Sequence, residues 1–305
     1  MKLFEKDWYR RKYLYAMSLI LPKSRFDRLL IEDKMKRNFL FTFHRKLNLR
    51  NPKDFNEKLL WLALYWQHPL KTLCADKVKI HDYVKECGLS QLLIPILHTY
   101  NHANEIDFAV LPPSFVLKCN HGCGYNIIVP DKKLLNIDDS KILLDKWLAE
   151  TYGVSNFEFH YADIHPHKIL CEQFLPSLDD NAIIDFKIHC FSGKPDFFLV
   201  CYNRIDGEAK LITYSLDWKR LYYVIDEEDD VNIQPPSSLK EMVEYATILA
   251  KPFPFVRVDF YELDNKPLIG ELTFTPYGNM ITYYKKEAID VLGTKLKLPK
   301  KYKDG

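Results

Sequence analysis

Short apolar runs bounded by polar residues, Pro or Gly dominate the chain from about residue 92 onward. Runs of this length that are rich in Val, Ile, Leu and Phe are typical of β-strands. They predict strands at residues 92–97, 115–119, 126–129 and 169–171, the last of which leads into Glu172-Gln173-Phe174-Leu175.

Two tight turns predict two β-hairpins. The first turn is Ser192-Gly193, where Gly193 can supply the positive φ that a short hairpin connection needs. The second is Asp264-Asn265. The predicted strands are 184–191 and 195–203 in the first hairpin, and 256–261 and 267–273 in the second.

Helices are predicted where apolar residues recur every three or four positions. Asn56 is expected to cap a helix that runs to Trp66, and Asp76 is expected to begin another that ends near Gly88. The predicted buried positions are Leu59, Leu60, Ala63 and Leu64 in the first helix, and Val78, Tyr83 and Val84 in the second.

Two further helices complete the pattern. One is expected over residues 138–152, and the capping-box spacing of Ser238 and Glu241 predicts another that continues to about Lys251. Strands and helices are intermingled, hairpins are frequent and no internal repeat is found. The predicted class is therefore α+β with largely antiparallel sheets.

Residues 1–54 are basic, aromatic and predicted to be helical. Two interpretations stay open and are compatible. The segment can lie on a membrane surface as an amphipathic element, or it can form a helical subdomain whose aromatic residues pack on the main body. The apolar residues concerned are Trp8, Tyr9, Tyr13, Tyr15, Leu19, Ile20, Leu21, Phe39, Phe41 and Phe43.

Charge is unevenly distributed along the chain. The 305 residues include 43 Lys and Arg against 41 Asp and Glu, a net charge of +2, so bulk charge excludes a polyanion binder and no nucleic acid is expected as a partner. Up to Lys53, however, the count is 15 basic against 5 acidic residues. Such polarity suggests that the two ends of the chain meet different partners.

Composition indicates a folded protein in a reducing compartment. Hydrophobic residues make up 47% of the chain and aromatic residues 14%, enough for a large core. The seven Cys residues are scattered and odd in number, which argues against a disulfide framework and favours the cytoplasm. No apolar run reaches the roughly 18 residues of a membrane span, and no signal peptide is expected.

The first chemical signal is Lys118 and the loop that follows it. A predicted strand ends in this lysine, and His121-Gly122-Cys123-Gly124 turns into the next strand. Two glycines allow backbone N–H groups to approach an anion closely, and the lysine adds a positive charge. A phosphate could be held there, although a hairpin of this kind also occurs without a ligand, and the spacing is that of neither a P-loop nor a dinucleotide fingerprint.

The second signal is a pair of acids in apolar strands. Asp259 and Glu271 lie on the two strands joined by the Asp264-Asn265 turn, whose register can place the carboxylates side by side. Paired carboxylates of this kind commonly hold a hard cation such as Mg²⁺. A salt bridge to Arg257 or another base explains them equally well at this point.

Other chemistries receive less support. Cys119, His121 and Cys123 lack the spacing of a zinc site, and His165 and His167 are isolated. Nothing supplies a base for Cys123 as a nucleophile, and no G-x-S-x-G motif is present.

The pieces become specific in their order. Asn56-Glu57-Lys58, Ala75-Asp76-Lys77, the block from Phe115 to Gly122, Tyr125-Asn126 and Glu271-Leu272-Thr273-Phe274 together resemble the TupA-like ATP-grasp family. The resemblance covers roughly residues 50–285. It implies the ATP-grasp fold, in which two α+β lobes with antiparallel sheets enclose a nucleotide, here preceded by a basic helical segment.

The resemblance also implies a domain order and a ligand set. The regions would be a basic helical segment (1–54), a helical lead-in with the small lobe and its Gly-rich flap (55–170), the large lobe with the metal site (171–290) and a basic tail (291–305). The ligands would be ATP and Mg²⁺.

Roles for individual residues follow from the same resemblance. Lys77 and Lys118 would reach the nucleotide phosphates, and His121, Gly122 and Gly124 belong to the loop that would cover them. The hinge at the adenine would be Glu172, Gln173, Phe174 and Leu175. The metal ligands would be Asp259, Glu271 and Thr273, and the residues that stabilise an acyl phosphate would be Lys187, Arg204 and Arg257.

Two departures from related enzymes matter. Many ATP-grasp enzymes have Glu-x-Asn where this chain has Glu271-x-Thr273, so a hydroxyl or a water would replace the amide ligand. The N-terminal region also reads as basic helices and not as the α/β domain of many relatives. Substrate binding therefore cannot be transferred from them.

The resemblance implies an ATP-dependent carboxylate–amine ligase of bacterial surface-polysaccharide assembly, such as capsule or teichuronopeptide synthesis. The carboxylate would be a uronic acid of a glycan and the amine an amino acid or another amine. A glycosyltransferase is the alternative, although Asp179-Asp180 and Asp229-Asp230 fit its D-x-D pair poorly. A non-catalytic nucleotide-binding partner is the third reading. If the glycan is lipid-linked, residues 1–50 could hold the enzyme at an anionic cytoplasmic membrane surface.

Overall fold

The computed structural model describes residues 23–176, 184–205, 208–228 and 231–301. The chain forms two units, Met1–Pro52 and Lys53–Gly305. In the first unit, helix α1 (Lys23–Phe43) agrees with the helical prediction. The rings of Phe39 and Phe43 lie 4.7 Å apart, and the Arg45 guanidinium lies 4.6 Å from the centre of the Phe39 ring. The aromatic residues from Trp8 to Tyr15 and the apolar residues 19–21 lie outside the described residues.

The second unit begins with helix α2 (Phe55–Tyr65). Its N-cap is Asp54, whose carboxylate accepts a hydrogen bond from the backbone N–H of Glu57 at 3.0 Å. The prediction that Asn56 caps this helix is wrong. Asn56 lies within the first turn and exchanges two hydrogen bonds with the backbone of Ile281, at 3.0 and 2.9 Å, so a tertiary contact has taken its amide.

The predicted helix from Asp76 to Gly88 forms only over its later part, and a separate helix precedes it. Helix α3 (Pro69–Ala75) ends at Asp76, whose backbone is extended, and helix α4 (Ile80–Glu86) starts four residues later. The Asp76 carboxylate accepts hydrogen bonds from the backbone N–H groups of Val78 and Lys79. This Asx-type turn breaks the helix because it offers the backbone a competing partner. Tyr83 and Val84 are buried as predicted, whereas Val78 is only half-buried.

A four-stranded antiparallel sheet follows, with the order β1-β4-β2-β3. Strands β2 and β3 match their predicted bounds, but β1 starts at Ile96 and not at residue 92, because Leu92 closes a 3₁₀ turn. Helix α5 packs its buried Leu144 on this sheet, and the short helix α6 follows it. The bounds are β1 (Ile96–Tyr100), β2 (Phe115–Cys119), β3 (Asn126–Val129), α5 (Ile137–Ala149), α6 (Phe159–Ala162) and β4 (Ile169–Gln173).

The second sheet has five antiparallel strands in the order β7-β6-β5-β8-β9. Both predicted hairpins are confirmed, and Ser192 and Gly193 have positive φ in the first turn. Strand β7 was not predicted. The strands are β5 (Asp185–Phe191), β6 (Lys194–Ile205), β7 (Glu208–Ser215), β8 (Phe255–Leu263) and β9 (Lys266–Thr273).

Two helices complete the second unit: α7 (Leu239–Ala250) and α8 (Lys286–Lys295). Helix α7 starts where the capping box predicted, but the box itself is not formed. The Ser238 side chain makes no capping bond, and both its hydroxyl and its backbone N–H donate to the Glu262 carboxylate, at 2.6 and 2.7 Å. A strand residue has replaced the predicted partner, Glu241.

The register of the five-stranded sheet separates charge from apolar surface. Lys187 on β5 lies opposite Asp259 on β8, and Asp259 lies opposite Glu271 on β9. Because side chains alternate along a strand, the neighbouring residues Ile188 and Val258 point to the other face. There they are fully buried beneath α7. The architecture is thus α+β with antiparallel sheets, as predicted, and it leaves one face of the larger sheet for polar chemistry.

In the parts of the chain that the structure describes, none of the helices combines the length and the apolarity needed to cross a membrane. The two Asp pairs that were weighed as sugar-nucleotide ligands, Asp179-Asp180 and Asp229-Asp230, lie outside the described residues.

Candidate functional site

Charged residues from both sheets converge on one cavity of about 340 Å³ in the second unit. The small sheet contributes Lys118 and Glu172, and the large sheet contributes an acidic and basic row. Of the residues predicted from the sequence, the structure brings together Lys77, Lys118, Gly124, Glu172, Lys187, Arg257, Asp259 and Glu271 along the cavity lining.

Lys118 and Glu172 sit on neighbouring strands of the small sheet, β2 and β4, and their side chains form an ion pair. The pair is partly exposed towards the cavity. Gln173, Phe174 and Leu175, predicted to form a hinge with Glu172, are not among the lining residues. The charge of Lys118 is thus compensated locally until an anion competes for it.

Lys77 lies in the turn between α3 and α4 that the Asp76 side chain creates. Its ammonium contacts the carbonyl of Gly122, and its backbone N–H donates to the carbonyl of Asn120 at 3.0 Å. Burial lowers the pKa of Lys77, and the Glu271 carboxylate opposes that effect. The break of the predicted helix is therefore what directs this lysine to the glycine loop.

The glycines of the loop have a backbone that other residues rarely adopt. Gly122 and Gly124 have φ values of +84° and +79°. A Cβ on Gly122 would lie 2.6 Å from the Tyr152 ring, whereas at Gly124 there is open space. Gly122 is thus required twice, for its φ and for the close approach of Tyr152, and Gly124 for its φ alone.

His121 is placed behind the loop and does not line the cavity. Its Nε2 lies 3.1 and 3.2 Å from the carbonyl oxygens of Trp147 and Glu150 at the end of α5, and its ring stacks on His167 at 3.5 Å. Burial lowers the pKa of His121 to about 4, so the ring is neutral and Nε2 carries the donated proton. His121 anchors the base of the glycine loop.

Three charged side chains are tied together on the large sheet. Asp259 accepts hydrogen bonds from Arg257 Nε at 2.7 Å, from Arg257 Nη2 at 2.6 Å and from Lys187 Nζ at 2.7 Å. Burial alone would raise the pKa of Asp259, but the two cations outweigh it and hold that pKa below its usual value. Asp259 in turn raises the pKa of Lys187 and of Arg257 against the effect of burial. All three groups are therefore charged.

Glu271 and Thr273 extend this network along β9. The Thr273 hydroxyl donates to Glu271 Oε1 at 2.6 Å and accepts from Arg257 Nη2 at 3.1 Å. The Glu271 side chain is 37% exposed, against 4% for Asp259. Glu271 is thus the carboxylate with the greater access to the cavity.

These oxygens can be tested against a divalent ion. No group of three or more His, Cys, Asp and Glu side chains suited to a metal occurs within the described ranges. The set is two carboxylates and one hydroxyl, and Asp259 already accepts three of its roughly four possible hydrogen bonds. Mg²⁺ is commonly held by one or two carboxylates together with water and phosphate oxygens. The residues fit such an ion, and Glu271, the more exposed carboxylate, would be its main ligand.

One predicted site residue has a side chain outside the described part, and three residues that line the cavity were not predicted. Arg204 belongs to β6, but its side chain lies outside the part that the structure describes. The cavity is also lined by His81, Tyr161 and Tyr261, which were not predicted as site residues. Tyr261 could have been predicted, because it lies two positions after Asp259 on the same strand and therefore shares its face of the sheet. Tyr161, on the four-residue helix α6, had no such signal.

Comparison with known proteins is consistent with this arrangement. A family model described as TupA-like ATPgrasp matches residues 57–297. The chain belongs to the TupA-like ATP-grasp family. The resemblance noted in the sequence is therefore confirmed, and with it the ATP-grasp fold. No curated protein matches the chain.

Among solved structures, the TupA-like chain is similar to D-alanine–D-alanine ligase from Bacillus anthracis, with 16% identity, 73% of this chain and 64% of that chain covered, and a TM-score of 0.44. For the ligase from Helicobacter pylori the values are 18%, 74%, 62% and 0.42. For D-cycloserine synthetase DcsG they are 14%, 75%, 72% and 0.40. In the Bacillus anthracis ligase complexed with ATP, the match spans only 54% of that chain.

A buried carboxyl lies behind the cavity of this TupA-like protein. Glu158, which directly precedes α6, is 6% exposed and accepts a hydrogen bond from the Thr275 hydroxyl at 2.6 Å. Burial raises the pKa of Glu158 from 4.5 to about 7. Thr275 follows the β9 strand of Glu271 and Thr273 by two residues, so the titration of Glu158 takes place close to the cavity.

Glu158→Gln is expected to remove a pH dependence of stability. A carboxyl with a raised pKa in the folded state adds stability that is fully present below its unfolded pKa of 4.5 and is lost as the pH rises through about 7. At pH 8 the Gln variant, which still accepts from Thr275, should be more stable than the wild type by up to about 3 kcal/mol. Urea unfolding at pH 5 and pH 8 measures the difference.

Thr275→Val is the matched control for this prediction. It removes the same hydrogen bond but leaves the titrating group, so it should destabilise the protein at both pH values. An unfolding free energy of Glu158→Gln that parallels the wild type across the range would show that Glu158 does not titrate there.

Proposed function

We propose that the protein is an ATP-dependent carboxylate–amine ligase that works through an acyl phosphate. The observation that carries this proposal is the convergence of Lys77, Lys118, Lys187 and Arg257 with two carboxylates, Asp259 and Glu271, on one cavity. Phosphoryl transfer needs charge neutralisation and positioning more than it needs a nucleophilic side chain. The lysine, arginine and carboxylate side chains around this cavity can supply both the charge neutralisation and the positioning.

Each group of residues would have a role that follows from its position in the cavity. Lys118, Lys77 and the N–H groups of the Gly122–Gly124 loop would bind the nucleotide phosphates, and Glu271 with Asp259 and Thr273 would hold Mg²⁺. The ion, when bound, would neutralise phosphate charge. Lys187 and Arg257 lie on the sheet face beside those carboxylates, where they would stabilise the charge on the transferred phosphoryl group.

Two steps follow from this arrangement. An oxygen of the substrate carboxylate attacks the γ-phosphorus of ATP, the bond to ADP breaks, and an acyl phosphate forms. The nitrogen of an amine then attacks the acyl carbon and releases phosphate. Closure of the glycine loop, anchored by His121, would keep water from the acyl phosphate.

The family setting supports a substrate class as part of the proposal. We propose a uronic acid of a bacterial surface polysaccharide, or of its precursor, as the carboxylate, and an amino acid or other amine as its partner. Contact of residues 1–50 with an anionic membrane stays a prediction, and residues 1–22 of that segment lie outside the described residues. The cytoplasm stays the predicted compartment.

Binding of Mg-ATP is the first test of this function. Millimolar Mg-ATP is expected to raise the melting temperature of the full chain, because a ligand that binds only the folded state stabilises it. Candidate uronic acids with amines should then release ADP and phosphate. Release of a nucleoside diphosphate from a sugar nucleotide would instead support a glycosyltransferase. An unchanged melting temperature would favour a non-catalytic role in glycan assembly.

A further inference from the structure

A second cavity, of about 460 Å³, lies on the large sheet near the β6–β7 hairpin. Four strand residues, a connecting segment and a pair of residues before α8 enclose it. Its polar lining consists of Tyr202, Lys210, Asp226, Glu228, Thr282 and Tyr283. None of these residues borders the first cavity, so the proposed nucleotide site does not account for it.

The two cavities lie next to each other along one row of paired residues that crosses β7, β6 and β5. Leu211, which lines the second cavity, lies opposite Cys201 on β6, and Cys201 lies opposite Asp185 on β5, which lines the first. Tyr283 lines the second cavity. Burial raises the pKa of Tyr283 to about 12, and the positive charges of Arg257 and Lys187 act in the opposite direction.

The second cavity differs from the first in its charge. The first has four lysine or arginine side chains in its lining, whereas Lys210 is the one such side chain that lines the second among the described residues. Lys210 is already paired with Glu228 at 2.5 Å, and the Tyr202 hydroxyl also donates to Glu228, at 3.2 Å. Asp226 is exposed and pairs with no cation among the residues that the structure describes. The uncompensated charge that the described residues give this cavity is therefore negative.

We infer that the second cavity receives the amine substrate as its ammonium ion, next to Asp226. This inference rests on the proposed ligase function and assigns the binding site of its second substrate. A carboxylate attracts an ammonium group by charge-assisted hydrogen bonds, and the faces of Tyr202 and Tyr283 suit a cation. Neither ATP nor a carboxylate substrate suits a cavity whose free charge is negative.

The chemistry of the second step is compatible with this placement. The bound ammonium loses a proton to water, and its nitrogen attacks the acyl carbon of the acyl phosphate in the first cavity, which Lys187 and Arg257 line. A C–N bond forms and the C–O bond to phosphate breaks. The second proton of the nitrogen leaves with the departing phosphate as hydrogen phosphate, so an amide remains.

Binding of simple amines to the full chain tests the assignment. The probes are ethanolamine, D-glucosamine and L-alanine methyl ester, each compared with its N-acetyl derivative by saturation-transfer NMR at pH 7. At least one amine is expected to bind about 10-fold more tightly than its acetylated form. Asp226→Asn should weaken that amine about 10-fold and leave Mg-ATP binding unchanged.

Asp264→Asn is the matched control, because Asp264 is an exposed aspartate in the β8–β9 turn that lines neither cavity. It should bind amines as the wild type does. Less than a twofold preference for every amine, or equal amine affinity in Asp226→Asn and the wild type, would overturn the assignment. Failure of the wild type to bind Mg-ATP would instead count against the ligase function, so the two failures are distinguishable.

Discussion

Asp259→Asn is expected to destabilise the protein strongly and to abolish turnover. Asp259 is the only partner that holds both Lys187 and Arg257 by hydrogen bonds within the described residues. Breaking a buried ion pair by neutralising one partner typically costs about 3–5 kcal/mol, because the remaining charge is left uncompensated. For a chain of this size the melting temperature should fall by roughly 10 °C. Differential scanning calorimetry measures the shift.

Glu271→Gln separates stability from catalysis. Glu271 lies opposite Asp259 on the same hairpin, but its side chain is 37% exposed and its partners are Thr273 and, at 3.3 Å, Arg257. Its melting temperature should stay close to that of the wild type, while turnover with Mg-ATP should fall as severely as in Asp259→Asn. If Asp259→Asn melted at the temperature of the wild type, the Lys187–Asp259–Arg257 network would contribute nothing to the stability of the fold.

Local sequence signals predicted the strands that carry this chemistry. The Asp264-Asn265 turn predicted that Asp259 and Glu271 lie close together on paired strands, since a tight turn determines the register next to it. The turn alone would place Asp259 opposite Gly270, and a register shift between Asp259 and Phe260 brings Glu271 opposite it instead. The glycine loop after Lys118 and the hairpin at Gly193 could be read in the same way, because glycine is required where φ is positive. These features depend on residues that lie within about a dozen positions of each other.

The parts that could not be predicted depend on distant contacts. Lys187 and Asp259 are 72 positions apart, and nothing local indicates that the lysine occupies the carboxylate that was expected to bind a metal. The amide of Asn56 is taken by Ile281, 225 positions away, so the helix is capped by Asp54. His121 was expected to act with the glycine loop at the phosphates, because it directly precedes Gly122. In the structure, two carbonyl oxygens at the end of α5 hold its ring behind that loop.

Strand β7 illustrates a further limit. Its sequence alternates apolar and polar residues over a short stretch, but it starts with Glu208 and Lys210 and is the edge strand of the sheet. An edge strand is commonly marked by charge and not by a continuous apolar run. The second cavity is built on this strand, so a pattern search that favours apolar runs also misses the amine site proposed above.

Lys118→Met is expected to weaken Mg-ATP binding by about 10- to 100-fold. The methionine preserves the apolar stem but removes the ammonium group that ends β2 beside the glycine loop. Hydrogen bonds to charged groups contribute about 1.5–3 kcal/mol, and each 1.4 kcal/mol is a factor of ten in affinity. Isothermal titration calorimetry with Mg-ATP and with adenosine measures the change, and adenosine, which has no phosphate, should bind both proteins equally.

Glu172→Gln distinguishes two roles of Lys118, which are binding the nucleotide phosphates and joining β2 to β4 through an ion pair. In the described state the Lys118 ammonium is paired with the Glu172 carboxylate, so phosphate must compete with that carboxylate for the same charge. Removing the carboxylate leaves the lysine free, and Mg-ATP should bind Glu172→Gln at least as tightly as the wild type. A lysine that served only to join β2 to β4 would give the opposite pattern, in which both variants lose stability alike and neither changes the ratio of ATP to adenosine affinity.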